Sequence, residues 1–221
     1  MVLERYLRSG GGIVILTVDT STRAFSISLF ENEDPVVHIE MKRSLVHSQQ
    51  IVRVFEFMLE RLGLTVHCLS AAYAGTGPGS FTGTRIGLSF VNTLSQILNI
   101  PILGVSSLDL LAFNGSGWYN SAVTLLRSRK NEVYTALYRK GERKTDYLAL
   151  SRDEFMSFLE KHSPQFVVAP EEDFRDLGSL EGISGEIIHA FPSSRSLYFV
   201  VRERGLMPQR SYLKPIYVRG I

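Results

Sequence analysis

The chain has 221 residues, 44% of them hydrophobic and 21% charged, an ordinary globular composition with room for one large domain or two small ones. Its 24 Lys/Arg against 22 Asp/Glu leave a net charge of +2, which argues against a protein built wholly around nucleic-acid phosphates. No run of 18 apolar residues marks a membrane span, and a single cysteine, Cys68, forbids an intramolecular disulfide and a Cys-based zinc cage, as expected for a reducing cytoplasm.

Residues 1–12 carry Arg5 and Arg8 but no apolar core before a glycine triplet, which predicts a flexible lead-in rather than a secretory signal. The β-branched run from Ile13 to Val18, the turn Asp19-Thr20-Ser21-Thr22 and the alternating segment from Ala24 to Phe30 predict a hairpin. A turn at residues 32–35 and a strand from Val36 to Met41 complete a three-stranded meander. From His47 to Leu62 the spacing becomes helical, with Ile51, Phe55, Met58, Leu59 and Leu62 on one stripe and Gly63 as the stop. A strand from Leu69 to Ala74 runs into a glycine-rich loop, Gly75 to Gly83, and then a helix to about Asn99 with Thr82 as its N-cap. A short strand from Ile102 to Val105 follows Pro101. A meander, a helix, then strand-helix-strand is the order of a ribonuclease-H-like α/β layer, here over residues 13–113. After a break at Asn114 to Gly117, strands at 122–126, 132–138 and 147–150, a helix from Arg152 to His162 and a strand at 166–168 half-copy that order. Residues 114–221 are expected to form a second, reduced lobe with a C-terminal segment.

Two segments have the chemistry of a phosphate site. The Asp19 to Thr22 turn gathers one carboxylate and three hydroxyls, which suits a metal-bound phosphate or, equally, an Asx turn satisfying its own backbone. The Gly75 to Gly83 loop, with Gly77-Pro78-Gly79 at its centre, opens a helix whose free N–H groups and dipole favour an anion. It lacks the Gly-Lys-Ser/Thr end of a Walker loop, the third glycine of a dinucleotide loop and the Gly-x-Ser-x-Gly of a nucleophile elbow, so a purely structural glycine turn stays open. The five histidines include no pair three to five residues apart, no Ser or Cys sits in an activating setting, and no metal site is expected.

Both first-half helices carry more apolar residues than one sheet covers. Ile51, Phe55 and Met58 with Phe90, Leu94 and Ile97 are the expected partner-facing surface, the alternative being a larger core of the chain's own. Charge in the second half is banded. Seven basic residues, Arg127, Arg129, Lys130, Arg139, Lys140, Arg143 and Lys144, face only Glu132 and Glu142 in their stretch, and an acidic band follows. They are candidate RNA contacts or a solvated meander whose edge lysines deter aggregation.

Val18-Asp19-Thr20-Ser21-Thr22, His47-Ser48-Gln49, Ala74 to Ser89 with its Gly-Pro-Gly-Ser-Phe-Thr-Gly block, and Asn99 to Leu108 together closely resemble the bacterial TsaB (YeaZ) family. Glu132-Val133-Tyr134 and Ser211 to Pro215 also match, so the first 110 residues are covered well and the rest sparsely. The resemblance implies an actin-like ATPase-type fold of two ribonuclease-H-like lobes, mixed sheets flanked by helices. It implies a non-catalytic scaffold for N6-threonylcarbamoyladenosine formation at adenosine 37 of tRNA, pairing with a catalytic TsaD-like paralogue and a TsaE-like ATPase. In the paralogue a His-x-x-x-His metal pair follows the fifth strand, where this chain reads Ser107 and Leu111. The chain itself is expected to need no cofactor, ATP and Mg²⁺ being used by the complex. A homodimer through the same helices, a cytoplasmic location and no membrane contact complete the expectation. Where relatives commonly have Asp-Ala-Arg before Glu-Val-Tyr, this chain has Arg127-Ser128-Arg129, a base in place of that acid. The alternatives are an autonomous Mg-ATP-binding ATPase or phosphotransferase and, more weakly, a peptidase.

Overall fold

In the computed structural model, which describes residues 12–42, 47–116, 121–129, 131–177, 183 and 185–218, the alternating segments at the start of the chain pair as a meander. β1 (Val14–Asp19) and β2 (Ala24–Glu31) are antiparallel, with Val14 opposite Glu31 and Asp19 opposite Ser26, and β3 (Asp34–Lys42) adds to the free side of β2. The expected lead-in, apart from Gly12, lies outside the described residues, as does Lys130.

α1 (His47–Leu62) has the bounds its periodicity predicts and stops at Gly63, whose φ of 64° suits a residue without a Cβ. β4 (Leu69–Gly75) then lies parallel to β1. α2 (Phe81–Leu98) starts earlier than expected: its N-cap is Ser80, not Thr82, and the Ser80 Oγ accepts from the Gly83 N–H at 3.1 Å. The cause is tertiary, since the Ser80 N–H donates to the Ser21 carbonyl at 2.6 Å and turns the chain into the helix before Thr82 is reached. β5 (Ile102–Val105) closes a sheet of order β3-β2-β1-β4-β5.

The second half repeats this plan with one short strand added. α3 (Ser107–Ser116), which hydrophobic periodicity does not announce, leads to β6 (Ser121–Arg127), β7 (Glu132–Arg139), the short β8 (Glu142–Arg143) and β9 (Leu148–Ser151). α4 (Arg152–His162), β10 (Phe166–Ala169), α5 (Glu171–Asp176), β11 (Glu186–His189) and α6 (Ser194–Glu203) follow. The second sheet has the order β11-β10-β6-β7-β8, with β9 also on β7. As in the first sheet, an antiparallel meander adjoins two parallel strands.

Each sheet is covered on one face by helices of its own half: α1 and α2 over the first, α4 and α5 over the second. The other faces are covered by exchange. α6 lays Leu197, Tyr198, Val200 and Val201 on Phe30, Ala71 and Tyr73 of the first sheet, while Leu108, Leu111 and Ala112 of α3 pack on Ala122, Leu126 and Ala136 of the second. Past α6 the chain continues along the first sheet, where Gln209 and Ile102 exchange N–H···O bonds of 2.8 and 2.9 Å.

Candidate functional site

The two phosphate-type segments are brought together, and they close on each other. Asp19 ends β1 only 1% exposed, its Oδ1 accepting from the Ser21 N–H at 3.0 Å and the Ser21 Oγ at 2.8 Å, while Oδ2 has no hydrogen-bond partner among the described residues. Burial pushes its pKa from the usual 3.8 up to about 7, against the lowering effect of the Ser21 hydrogen bonds and of the nearby Ser107 hydroxyl. The Thr20 Oγ donates to the Gly83 carbonyl at 2.7 Å. A Cβ on Gly79 or Gly83 would overlap the carbonyl oxygens of Ser21 and Thr20, and one on Gly87 the Thr20 Oγ. These glycines therefore serve the approach of the turn to the loop and the first turns of α2. Gly77 and Pro78, joined by a cis peptide bond, are held from the other side: the Gly77 N–H donates to the Ser107 Oγ and the Ser107 N–H to the Gly77 carbonyl. The Thr20 and Ser21 hydroxyls are used inside the chain, and among the described residues the Asp19 Oδ2 is left buried without a hydrogen-bond partner. Leu111, the second position matching the paralogue's histidine pair, is wholly buried in the second core.

Above these loops a cleft of about 580 Å³ separates the halves, lined by Thr22, Arg23, Ser80, Arg127, Arg129 and Tyr134 among others. Arg127 pairs with Asp176, and Arg23 reaches Glu172 and Asp176 at 3.5 and 3.4 Å. Asp173, on the cleft wall, accepts from the Arg127 N–H at 3.0 Å, and burial raises its carboxyl to about 6.

The expected partner stripe divides. Ile51, Phe55, Met58 and Leu94 are buried in the chain's own core, where Phe55 meets the partly buried Phe90 edge to face at 5.5 Å; of the six, only Ile97 stands out, 72% exposed. The inward side of both helices is needed by the first sheet, so a partner meets different side chains. Val52, Phe57 and Phe81 are exposed, and a groove of about 550 Å³ runs between the helices, lined by Val52, Phe81, Arg85, Ile86, Phe90 and others. Phe81 and Tyr217, the latter on the C-terminal segment, were not singled out by periodicity; Tyr217 lies two residues beyond the matching Ser211 to Pro215 stretch.

The basic band also divides. Arg127 and Arg129 sit at the β6–β7 turn, whereas Arg139, Lys140, Arg143 and Lys144 are exposed at the opposite end of β7. At that end Arg143 lies over the Tyr147 ring at 4.1 Å and Lys144 pairs with Glu142 at 2.5 Å. Beneath the hairpin, and without a signal in the sequence, the buried Asp109 accepts from Tyr138 Oη at 2.7 Å, Tyr147 Oη at 3.1 Å and Arg204 at 2.6 Å.

One serine-histidine contact bears on the peptidase alternative. The Ser28 Oγ is 2.9 Å from His38 Nδ1, and His38 Nε2 is 3.9 Å from Glu40, a serine-histidine-acid succession whose ring nitrogens are reversed relative to the hydrolytic triad and whose acid is beyond hydrogen-bond reach. Ser28 is wholly buried beneath Ser194, 2.7 Å away, so no substrate carbonyl reaches it.

Two mixed sheets of one topology, helices exchanged between them and a cleft at the apposed turns define an actin-like ATPase-type fold. A family model described as tRNA N6-adenosine threonylcarbamoyltransferase, TsaD, matches residues 42–171, more than half of the chain. The tRNA threonylcarbamoyladenosine biosynthesis proteins TsaB of Bacillus subtilis and Escherichia coli are 32% and 34% identical over 127 and 131 residues; each match covers 58% of this chain and 56% of the relative. The chain thus spans little more than half the length of these two relatives. The Haemophilus influenzae TsaB is 28% identical over 75% of this chain and 68% of its own length. YeaZ from Pseudomonas aeruginosa superposes with a TM-score of 0.76 over 93% of this chain and 100% of that one, at 22% identity. The chain belongs to the TsaB (YeaZ) family.

Proposed function

We propose that the chain is a non-catalytic subunit in forming N6-threonylcarbamoyladenosine at adenosine 37 of tRNA, its α1–α2 face packing against a TsaD-type catalytic paralogue. A TsaE-type ATPase completes the complex, which uses ATP and Mg²⁺ and works where tRNA is modified, in the cytoplasm. The observation that carries this reading is the apolar groove between α1 and α2, with exposed Val52 and Phe81 in its lining, a surface of the kind that proteins cover with one another. The pathway is supported by the relatives named for it. The division of labour is supported by Ser107 and Leu111: one is tied to the glycine loop and the other fills a core, and neither ligates iron or zinc as imidazole does. Without the paralogue, a second copy covers the same face.

Reconstitution of tRNA threonylcarbamoylation with the paralogue and the ATPase, with and without this chain, tests the reading. Modification should depend on the chain, and the chain alone should hydrolyse ATP far more slowly than the order of 1 per second of a working enzyme. Full modification without it, or fast ATP turnover by it alone, overturns the proposal.

A further inference from the structure

We infer that Phe81, Arg85 and Tyr217 form a preorganised recognition cluster at the head of the α1–α2 groove, in which Arg85 receives a carboxylate from a helix of the partner chain. The inference rests on the reading above that this face binds a paralogue of the same fold. The Arg85 guanidinium lies 3.7 Å over the Phe81 ring, and its Nε and Nη2 donate to the Tyr217 Oη at 3.1 and 2.8 Å. The two rings are 6.1 Å apart. Nevertheless Phe81 is 60% and Tyr217 58% exposed.

Tyr217 reaches this place because the C-terminal segment is strapped down behind it. The Leu213 N–H and carbonyl both pair with the Asn92 side chain, at 2.9 and 3.0 Å, and the Ile216 N–H donates to the Thr76 carbonyl at 2.8 Å. A long arginine and two rings held in one arrangement at the surface have already lost the rotamer freedom that association normally costs. Aromatic and arginine side chains of this kind dominate binding energy where a partner excludes water. Among the described residues Arg85 makes no ion pair, so its charge is answered only by ring faces and a phenol oxygen. A carboxylate in the covered groove gains a charge-assisted hydrogen bond from a guanidinium already oriented for it. The occupant follows from the shared family model: residues 42–171 contain both helices, so a TsaD-type chain carries a corresponding pair and can meet this one face to face.

The test is titration calorimetry of the full chain against the purified paralogue at low and high salt, with Tyr217→Ala, Arg85→Gln, Arg85→Lys and, in the middle of the groove, Val52→Glu. Tyr217→Ala and Arg85→Gln should each weaken binding about tenfold or more, Arg85→Lys should not restore it, and the melting temperatures should stay close to the parent's. The salt dependence should diminish in Arg85→Gln, because its charge is gone. If both cluster variants bind within twofold of the parent while Val52→Glu abolishes binding, the groove reading stands and the cluster is refuted. If Val52→Glu also binds normally, or the parent does not bind, the reading of the face fails and takes the cluster with it. Variants that change only self-association would assign the cluster to a second copy and overturn the inference as stated.

Discussion

At the residue scale, Asp19 is a carboxylic acid whose titration the fold alters strongly. Its carboxyl titrates near 3.8 when free and near 7 in the folded chain, so between these values the native state holds a proton that the unfolded state has released. Stability contributed at this site is therefore fully present below about pH 4 and declines as pH rises to about 7. By the usual 1.36 kcal/mol per unit, the loss is of the order of a few kcal/mol. Asp19→Asn, neutral at every pH and able to accept from Ser21 through its carbonyl oxygen, should melt higher than the parent at pH 8 and show a flatter profile between pH 4 and 7. A variant that melts lower at pH 8 would mean the carboxylate is charged and well solvated. Gly83→Ala tests the contact beside it: its methyl would overlap the Thr20 carbonyl, a backbone atom that cannot swing away, and overpacking of this kind costs about 1–3 kcal/mol. Thermal melting at or above the parent's temperature would show that the turn and loop are not in contact. Both segments stand out in the sequence by residue type alone. What the glycines face was not legible, because Thr20 and Gly83 are 63 positions apart and only the tertiary approach decides whether a phosphate or a neighbouring carbonyl fills the space.

At the scale of elements, periodicity gave the bounds of α1 and α4 residue for residue, yet the direction of the apolar stripe on α1 depended on its surroundings. Ile51, Phe55 and Met58 are the inward row, while Val52 and Phe57 stand exposed at two different angles round the helix; a helix with apolar residues on more than one side does not announce which side the sheet takes. Phe55, 4% exposed and packed on Phe90, should tolerate no charge: Phe55→Glu buries an unpaired carboxylate and should cost several kcal/mol or abolish folding. Phe57→Glu, at a site 49% exposed, should fold with nearly parental stability. Equal urea midpoints for the two variants would contradict the orientation of the helix. α3 escaped sequence reading for a related reason. Leu108, Leu110, Leu111 and Ala112 are all buried, because the second sheet lies on one side and α6 and the first sheet on the other, so no polar face remains to give a stripe.

At the scale of the whole molecule, the repeat of strand order was foreshadowed by the succession of elements, but the exchange of α3 and α6 between the sheets was not, because a helix's target is set by the chain's path rather than by its own pattern. The same limit applies to the basic band. Its seven residues are close in sequence, but β7 separates them: Arg127 lies opposite Val133 and Arg143 opposite Tyr138, so at roughly 3.4 Å per residue the β6–β7 turn is about 17–20 Å from the hairpin that carries Arg139, Lys140, Arg143 and Lys144. If the complex uses the band on tRNA, the two groups act at separate phosphates. The hairpin is the better placed of the two: Arg127 is already paired with Asp176 at the cleft, while Arg139 and Lys140 are exposed on the outer end of the second sheet. Neutralising a phosphate releases condensed counterions, so Arg139→Glu, Lys140→Glu, Arg143→Glu in one chain should weaken tRNA binding by the assembled complex and flatten its salt dependence by about one unit of slope for every phosphate the variant no longer neutralises. Pairing with the paralogue should be unchanged, because the groove belongs to the first lobe and the hairpin to the second. Filter-binding titrations across a salt series decide it: a triple variant whose complex keeps the parent's slope leaves the hairpin as solvated surface, where Lys144 and Glu142 pair with each other.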